Sequence, residues 1–259
     1  MSTLRARRQA IRNLLRERDP VDAMEAYYAF HHSDAKTTLI LWPEGVENHV
    51  GGRADGYVAL SRTGIDLFRP LVTMRLPIDH APSGNDSDTT QAAADLLQLA
   101  ITPDWPVILD VPIRYRPIVD ALFEIHSEEK LRLYVLDLEQ FEPVINVLVT
   151  RSEDPSRLPR YTIRSSQRGE DEVVAGASLN WQSPYFAEIA VNTLSQYRRK
   201  GWGRSVVSAL CNHVVESGRT PLYVVAEENG PSIHLAESLG FVDTGARDLL
   251  IQATRKSRV

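Results

Sequence analysis

The two halves of this 259-residue chain show the same predicted elements in the same order, and this repeat constrains the fold more than any other feature. In each half the pattern predicts three strands, a polar loop, a helix, a strand, a second helix and a last strand. Such an order, repeated at this scale, predicts two copies of one mixed α/β plan, each a central sheet flanked by helices. The first three strands of the two halves are predicted at residues 36–42, 56–61 and 65–76, and at residues 160–168, 173–181 and 186–193.

The boundary between the halves is expected in a stretch rich in Ser, Pro and charged residues. Residues 151–159 have this composition and read as a loop or linker. The boundary itself is expected between Glu139 and Asp154, with one domain at residues 1–145 and a second at residues 146–259.

Bulk composition narrows the class of protein. The chain is 43% hydrophobic and 24% charged, which is typical of a folded globular protein. No apolar run approaches the ~20 residues of a membrane helix, and no secretory signal is readable, so a cytoplasmic protein without a membrane partner is expected. The net charge of -5 argues against a general nucleic-acid binder. A single cysteine, Cys211, excludes an intramolecular disulfide and argues against a cysteine-based metal site.

The segment from Tyr197 to Arg204 carries the clearest chemical signal. It follows a predicted strand and opens a predicted helix, whose first N–H groups lack intrahelical partners and favour an anion. Gly201 and Gly203 leave room for a phosphate to approach the backbone. Positive charge surrounds them on Arg198, Arg199, Lys200 and Arg204.

A glycine pair at the start of a helix is weak evidence taken alone. The simpler alternative is a tight turn with a solvated basic rim. The segment lacks the Gly-Lys-Ser/Thr ending of a nucleoside triphosphate loop and the third glycine of a dinucleotide fingerprint.

Two motifs in this half resemble signatures of the GNAT N-acetyltransferase superfamily. Arg198-x-x-Gly201-x-Gly203 resembles the first signature, which follows the family's splayed fourth strand. The stretch from Asn229 to Leu239-Gly240-Phe241 resembles the second. The resemblance covers residues 161–251 and implies a tandem GNAT fold.

The resemblance also implies a coenzyme A site. Backbone N–H groups of Arg199, Lys200, Gly201, Trp202, Gly203 and Arg204 would hold the pyrophosphate of acetyl-CoA. Val191 and Thr193 would offer backbone groups to the pantetheine arm. Asn229 would reach the cofactor from the other side of the cleft; the alternative for Asn229 is a simple helix cap.

Direct acyl transfer to an amine needs a base, an oxyanion donor and an acid. Glu188 is the candidate base, with a solvated strand carboxylate as the alternative. The backbone N–H of Val191 is the candidate oxyanion donor. Many relatives carry a Tyr seven residues after the Asn, but Ala236 stands there in this chain. Ser232 is therefore the candidate acid, with His234, Ser238 or water as alternatives.

The first half has no comparable loop. Residues 76–88 are acidic and hold two prolines, which remove N–H donors. We therefore expect a GNAT-like first domain without CoA, in an arrangement that resembles tandem GNAT proteins with one degenerate copy.

Three functions stay open at this stage. The leading one is an acetyl-CoA-dependent N-acetyltransferase acting on a small-molecule or protein amine, without a metal, as a monomer or homodimer. The second is a non-catalytic CoA-binding module, suggested by Ala236. The third is an acyltransferase for longer acyl-CoA, in which Trp181, Phe186 and Trp202 would matter.

Overall fold

The computed structural model describes residues 3–64, 66–80, 87–144, 147–155, 157–165 and 172–257. The predicted turn at residues 169–171 and residues 81–86 of the acidic loop lie outside these ranges. The chain divides into two compact units, one of Met1–Lys130 with Arg247–Val259 and one of Leu131–Ala246.

The described residues contain eleven strands and six α-helices. The strands are β1 Thr37–Trp42, β2 Gly56–Ser61, β3 Leu71–Arg75, β4 Pro106–Pro112, β5 Phe123–Leu136, β6 Thr150–Glu153, β7 Pro159–Ser165, β8 Glu172–Gln182, β9 Phe186–Thr193, β10 Thr220–Ala226 and β11 Phe241–Arg255. The helices are α1 Leu4–Ala10, α2 Ala23–Ala26, α3 Ser87–Ala100, α4 Arg116–Leu122, α5 Trp202–Glu216 and α6 Gly230–Glu237. The repeated order of strands and helices predicted from the sequence is present.

The first unit is built on a mixed sheet in the order β1–β2–β3–β4–β11. β3 and β4 are parallel, and the other neighbours are antiparallel. Residues 248–254 of β11 pair with β4. These residues are predicted from the sequence to belong to the second domain, because they follow its other elements in the chain. Pairing between distant strands is not encoded in local composition, so neither this assignment nor the expected boundary at residue 145 matches the compact units.

The two faces of this sheet bury different helices, as strand alternation requires. On β2, Val58 packs in one core with Leu97 of α3, while the neighbouring Tyr57 packs in another with Ile11. Each of these residues is fully buried.

The third predicted strand of the first half is shorter than expected. Its predicted start was residue 65, but β3 begins at Leu71. The Asp66 side chain accepts hydrogen bonds from the backbone N–H groups of Phe68 and Arg69, both at 2.8 Å. A local turn held by an aspartate competes with strand pairing, which explains the late start.

A buried ion network lies on the Tyr57 face of the first unit. Arg75 at the end of β3 is 6% exposed and pairs with Glu25, which is 3% exposed. Its other guanidinium nitrogen lies 2.5 Å from Asp22 Oδ1. Two carboxylates thus neutralise a cation that burial alone would make costly.

The second unit is built on a mixed sheet in the order β5–β10–β9–β8–β7–β6, with residues 131–135 of β5 paired to β10. β9 and β10 are parallel, which requires a crossover, and α5 supplies it. The apolar face of α5, including Val206 and Leu210, packs with Ala177 and Ile189 of the sheet. This arrangement places the start of α5 at the end of β9.

Among the described residues, no helix combines the length and the apolar character needed to cross a membrane.

Candidate active site

The parallel strands β9 and β10 separate partway along their length, and the site is organised by this gap. They pair at three positions, from Phe186 opposite Thr220 to Glu188 opposite Leu222. Within the described parts of both strands, no pairing between them is found beyond Glu188. The rest of β9, residues 189–193, therefore has an open edge.

Backbone groups of Val191 and Thr193 lie on that open edge. Leu194 donates its N–H to Val174 on β8 at 3.0 Å, so residues 190, 192 and 194 point toward β8. Hydrogen-bonding directions alternate along a strand, so Val191 and Thr193 point to the other side. The Thr193 carbonyl there accepts a hydrogen bond from Arg198 Nε at 3.2 Å. An extended ligand could pair with β9 at this edge.

The loop after β9 presents a run of backbone donors. Arg199 and Gly201 both have left-handed backbone, with φ of 62° and 78°, and α5 starts immediately afterwards. The first backbone N–H after this turn with a partner is that of Ser205, which donates to Gly201 O at 3.1 Å. Within the described chain, no hydrogen bond is found for the backbone N–H groups of residues 199–204. Such a concave set of donors at a helix start favours an anion.

The basic side chains of this loop are not equivalent. Lys200 Nζ lies 5.0 Å from the Tyr197 ring centre and 5.2 Å from that of Trp202, and the two rings stack. Arg204 Nη2 donates to the Ser238 carbonyl at 3.0 Å. Arg204 and Arg198 thus hold backbone carbonyls, so of the four predicted basic groups Arg199 and Lys200 are best placed to meet a phosphate.

Gly203 allows three elements to meet at the loop. A β-carbon at this position would lie 3.2 Å from Thr193 Oγ1 and 3.6 Å from Leu235 Cδ2. Glycine therefore lets the start of α5 lie close to the end of β9 and to α6.

Glu188 lies where the two strands begin to separate. Asn180 Nδ2 donates to its Oε1 at 2.6 Å, and Trp181 Nε1 donates to its Oε2 at 2.5 Å. A β-bulge in β8 between Leu179 and Trp181 brings both donors to the carboxylate. Glu188 is 8% exposed, so the alternative of a solvated strand carboxylate does not describe it.

Burial changes the proton affinity of this carboxyl. Desolvation raises the pKa of Glu188, while the hydrogen bonds from Asn180 and Trp181 lower it, and the net direction is upward. A carboxyl whose pKa is raised toward neutrality is a stronger base when ionised. The environment therefore suits Glu188 for proton abstraction.

The start of α6 holds the remaining predicted residues. The Asn229 side chain accepts a hydrogen bond from Ser232 N at 3.2 Å, which is the helix-cap interaction considered as the alternative from sequence. Ser232 Oγ lies 2.7 Å from the hydroxyl of Tyr223 on β10. Burial raises the pKa of Tyr223, whose residue is 2% exposed.

Tyr223, Asn180 and Trp181 were not among the site residues predicted from sequence. Tyr223 lies in a strand that reads as an apolar run, and only the packing of α6 over β10 reveals its hydroxyl beside Ser232. Trp181 was noted for acyl length alone. The one signal in the sequence was the pair Asn180-Trp181, a polar residue next to a tryptophan, on the strand predicted to pair with that of Glu188.

A hollow of about 330 Å³ opens on the second unit, over the sheet face that also carries Glu188. Ser178 and Ala190 form a directly opposed cross-strand pair in its floor, and Gly176 continues it along β8. Ala190 follows Glu188 by two residues, so both side chains lie on the same face of β9. Asp154 and Arg160 supply the charged lining.

Cys211 and His213 lie on α5 outside this arrangement. Burial raises the pKa of the Cys211 thiol, which disfavours the reactive thiolate. His213 packs near the Tyr161 ring, with ring centres 6.1 Å apart. Among the described residues, no group of three or more His, Cys, Asp or Glu side chains is placed to hold a metal.

The first unit has a corresponding separation of parallel strands, but a tyrosine bridges it. β3 and β4 pair at Leu71–Ile108 and Val72–Leu109. Beyond this, Leu76 donates its N–H to the hydroxyl of Tyr115 at 3.0 Å, and that hydroxyl donates to Asp79. Tyr115 is fully buried. A backbone donor at the end of the separating strand is thus used within the chain.

Comparison with known proteins agrees with this architecture. The family model described as "FR47-like protein" matches residues 170–248. A tandem GNAT protein from the clavulanic acid biosynthesis pathway is 13% identical, with a TM-score of 0.59 over 99% of this chain and 95% of that one. This chain has a tandem GNAT fold. The resemblance found in its sequence motifs is confirmed at the level of the fold.

Two further solved structures have a similar fold over most of the chain. A GCN5-related N-acetyltransferase from Sphaerobacter thermophilus is 11% identical, with a TM-score of 0.54 over 100% of this chain and 94% of that one. A Drosophila protein is 15% identical, with a TM-score of 0.63 over 92% of this chain and 87% of that one. No protein with a curated description matches the chain. At these identities the solved structures establish the fold alone.

Proposed function

We propose that the second half of this tandem GNAT protein is an N-acyltransferase that uses acetyl-CoA as acyl donor and an amine as acceptor. The observation that carries the proposal is the run of backbone N–H groups at residues 199–204 beside the open edge of β9. Backbone N–H groups at a helix start bind a pyrophosphate. An open strand edge such as that of β9 can pair with the amide groups of a pantetheine arm.

The backbone donors and the open strand edge that coenzyme A needs are both present in this chain. The N–H groups from Arg199 to Arg204 would hold the pyrophosphate, with Arg199 and Lys200 adding charge. Val191 and Thr193 would pair with the pantetheine amides. Gly203 keeps the approach to the helix start open, because a side chain there would meet Thr193. Asn229 would contribute by shaping the start of α6.

In the proposed chemistry the chain supplies a base, which takes a proton from the amine, and an acid, which gives a proton to the leaving sulfur. When bound, acetyl-CoA supplies an activated acyl carbon to which the amine nitrogen adds as the C–S bond breaks. Glu188 takes the amine proton on its carboxylate, directly or through water. The N–H of Val191 donates to the carbonyl oxygen as charge develops there.

The acid in this scheme is Ser232 acting with Tyr223. Ala236, at the position where many relatives carry a tyrosine, is fully buried and offers no proton. The Ser232 hydroxyl, 2.7 Å from the Tyr223 hydroxyl, can give a proton to the leaving sulfur and regain one from tyrosine. Tyr223 of β10 would thereby take the role that a tyrosine on α6 has in many relatives.

The proposed base is tested by Glu188→Gln, measured as free-thiol release from acetyl-CoA with a panel of amines. We expect kcat to fall by about 10²- to 10⁴-fold while the dissociation constant of acetyl-CoA is unchanged. The wild-type rate should also rise with pH through the raised pKa of Glu188, and the variant should lack this acid limb. Unchanged kcat in the variant would remove Glu188 from the mechanism.

Two other functions remain distinct outcomes of the same assay. Acetyl-CoA binding without thiol release for any amine would favour a non-catalytic CoA-binding module. Faster thiol release from a longer acyl-CoA would favour an acyltransferase for longer acyl groups, in which Trp181 and Phe186 shape the acyl end of the site. A cytoplasmic location and a monomeric or homodimeric state stay predictions of the sequence.

A further inference from the structure

The hollow on the Glu188 face of the sheet is lined by one positive and one negative group, and its other lining residues are uncharged. The charged groups are Asp154 before β7 and Arg160 on β7, and the hollow holds about 330 Å³. A site for a plain alkylamine would need no cation in its wall. We propose that the acceptor is a small amine that also carries an anionic group, as an amino acid does, and that Arg160 binds this group; the inference rests on the proposed acetyl transfer.

The sheet register places Arg160 and the candidate base on one working surface. Arg160 lies opposite Ser178, and Ser178 lies opposite Ala190, so the three residues form one cross-strand row. Directly opposed residues share a face of the sheet, and Ala190 shares its face of β9 with Glu188. Arg160 and Glu188 therefore face the same side of the sheet. Their backbone positions are separated by two strand spacings, about 10 Å, across the sheet and by two residues, about 7 Å, along the strand.

The Arg160 side chain is available for a ligand. Residue 160 is exposed, and no hydrogen bond or ion pair joins its guanidinium to another residue that the structure describes. Its Nη2 lies 4.0 Å from the position that a β-carbon on Gly176 would occupy, so the guanidinium reaches over the floor of the hollow. A guanidinium can bind a carboxylate or phosphate with two parallel hydrogen bonds.

The carboxylates of the site favour the other end of such a molecule. Asp154 Oδ1 accepts a hydrogen bond from Leu158 N at 2.8 Å, which fixes the side chain at the rim. Glu188 attracts an incoming ammonium group, while Arg160, two strands away, attracts the anion. The pair of opposite charges thus orients a zwitterion with its nitrogen toward the base.

The hollow exists because the floor residues are small. A β-carbon on Gly176 would lie 3.6 Å from Thr162 Cγ2, which is ordinary contact, so a side chain can begin there without a clash. Gly176→Leu should therefore fill the hollow, raise KM for the acceptor and leave acetyl-CoA binding intact.

The test compares amines of similar basicity that differ in the anion: β-alanine against propylamine, and phosphoethanolamine against ethanolamine. Wild-type protein should favour the anionic member in kcat/KM. Arg160→Gln should lower kcat/KM for the anionic members by about 10- to 100-fold and leave the neutral ones unchanged. Arg151→Gln is the matched control, since Arg151 lies opposite Tyr161 on the other face of the sheet.

The outcomes separate this inference from the proposed function. Acetyl-CoA binding is measured first by calorimetry, and its absence would refute acetyl transfer itself. With acetyl-CoA bound, equal or better use of the neutral amines overturns the acceptor assignment and leaves the transferase proposal standing. Failure of every anionic amine to bind or react with the acetyl-CoA-loaded protein also overturns it. The phosphoethanolamine arm tells a phosphate from a carboxylate preference.

Discussion

At the scale of single residues, burial gives two carboxyls of this chain unusual proton affinities for different reasons. Glu188 keeps two hydrogen-bond donors on its oxygens, so the ionised form is supported although desolvation raises its pKa. No such pair of donors to Asp248 in the first unit is found among the residues that the structure describes. Desolvation, with a contribution from Glu25, raises the pKa of Asp248 to about 7, against opposing effects of Arg75 and Arg114. Glu188 therefore fits a catalytic role, whereas ionised Asp248 destabilises the folded state.

Asp248→Asn should stabilise the first unit at neutral pH. The folded state holds a proton on Asp248 up to about pH 7, while the unfolded chain loses it near the ordinary pKa of an aspartate, 3.8. The folded state therefore binds more protons between these values, so the wild-type contribution to stability falls as pH rises through this window. A shift of this size corresponds to at most about 4 kcal/mol.

Chemical unfolding of wild type and Asp248→Asn at pH 4 and pH 8 checks this expectation. The two proteins should have similar unfolding free energies at pH 4, and the variant should be more stable at pH 8. An equal difference at both pH values would mean that Asp248 does not titrate in this window.

At the scale of elements, the same separation of parallel strands occurs in both units and is used differently. In the second unit the edge of β9 is open beyond Glu188. In the first unit the Tyr115 hydroxyl takes the N–H of Leu76 after β3. The sequence pattern predicted the elements but attributed the lack of a CoA site to the acidic loop alone. Tyr115 was not foreseen, because its contact with Leu76 joins residues that are far apart in sequence.

Tyr115→Phe should destabilise the first unit by about 1–3 kcal/mol, because it leaves the buried Leu76 N–H without its acceptor. Chemical unfolding of the variant measures this loss. Tyr161→Phe is the control, since no hydrogen bond of the Tyr161 hydroxyl to another described residue is found. A Tyr115 variant as stable as the control would show that the hydroxyl bridge contributes nothing.

At the scale of the whole molecule, periodicity and turn chemistry predicted the order of elements, and two motifs predicted the GNAT fold. Those signals work because helix starts, glycine turns and strand alternation depend on neighbouring residues. The location of residues 248–254 in the sheet of the first unit depends on pairing with β4, which lies more than a hundred residues earlier. The hollow at Arg160 likewise depends on three strands in register. Such features could not be predicted from local pattern.

The central claim is that the loop before α5 binds the pyrophosphate of acetyl-CoA, and calorimetric titration with acetyl-CoA tests it most directly. The wild-type protein should bind one molecule per chain, and Gly201→Glu should abolish binding. Gly218→Glu is the matched control, because Gly218 also has φ of 78° but lies beyond the other end of α5. It should bind as wild type does, with circular dichroism confirming that all three proteins are folded. A folded wild-type protein that binds no acetyl-CoA, or equal binding by Gly201→Glu, would contradict the account.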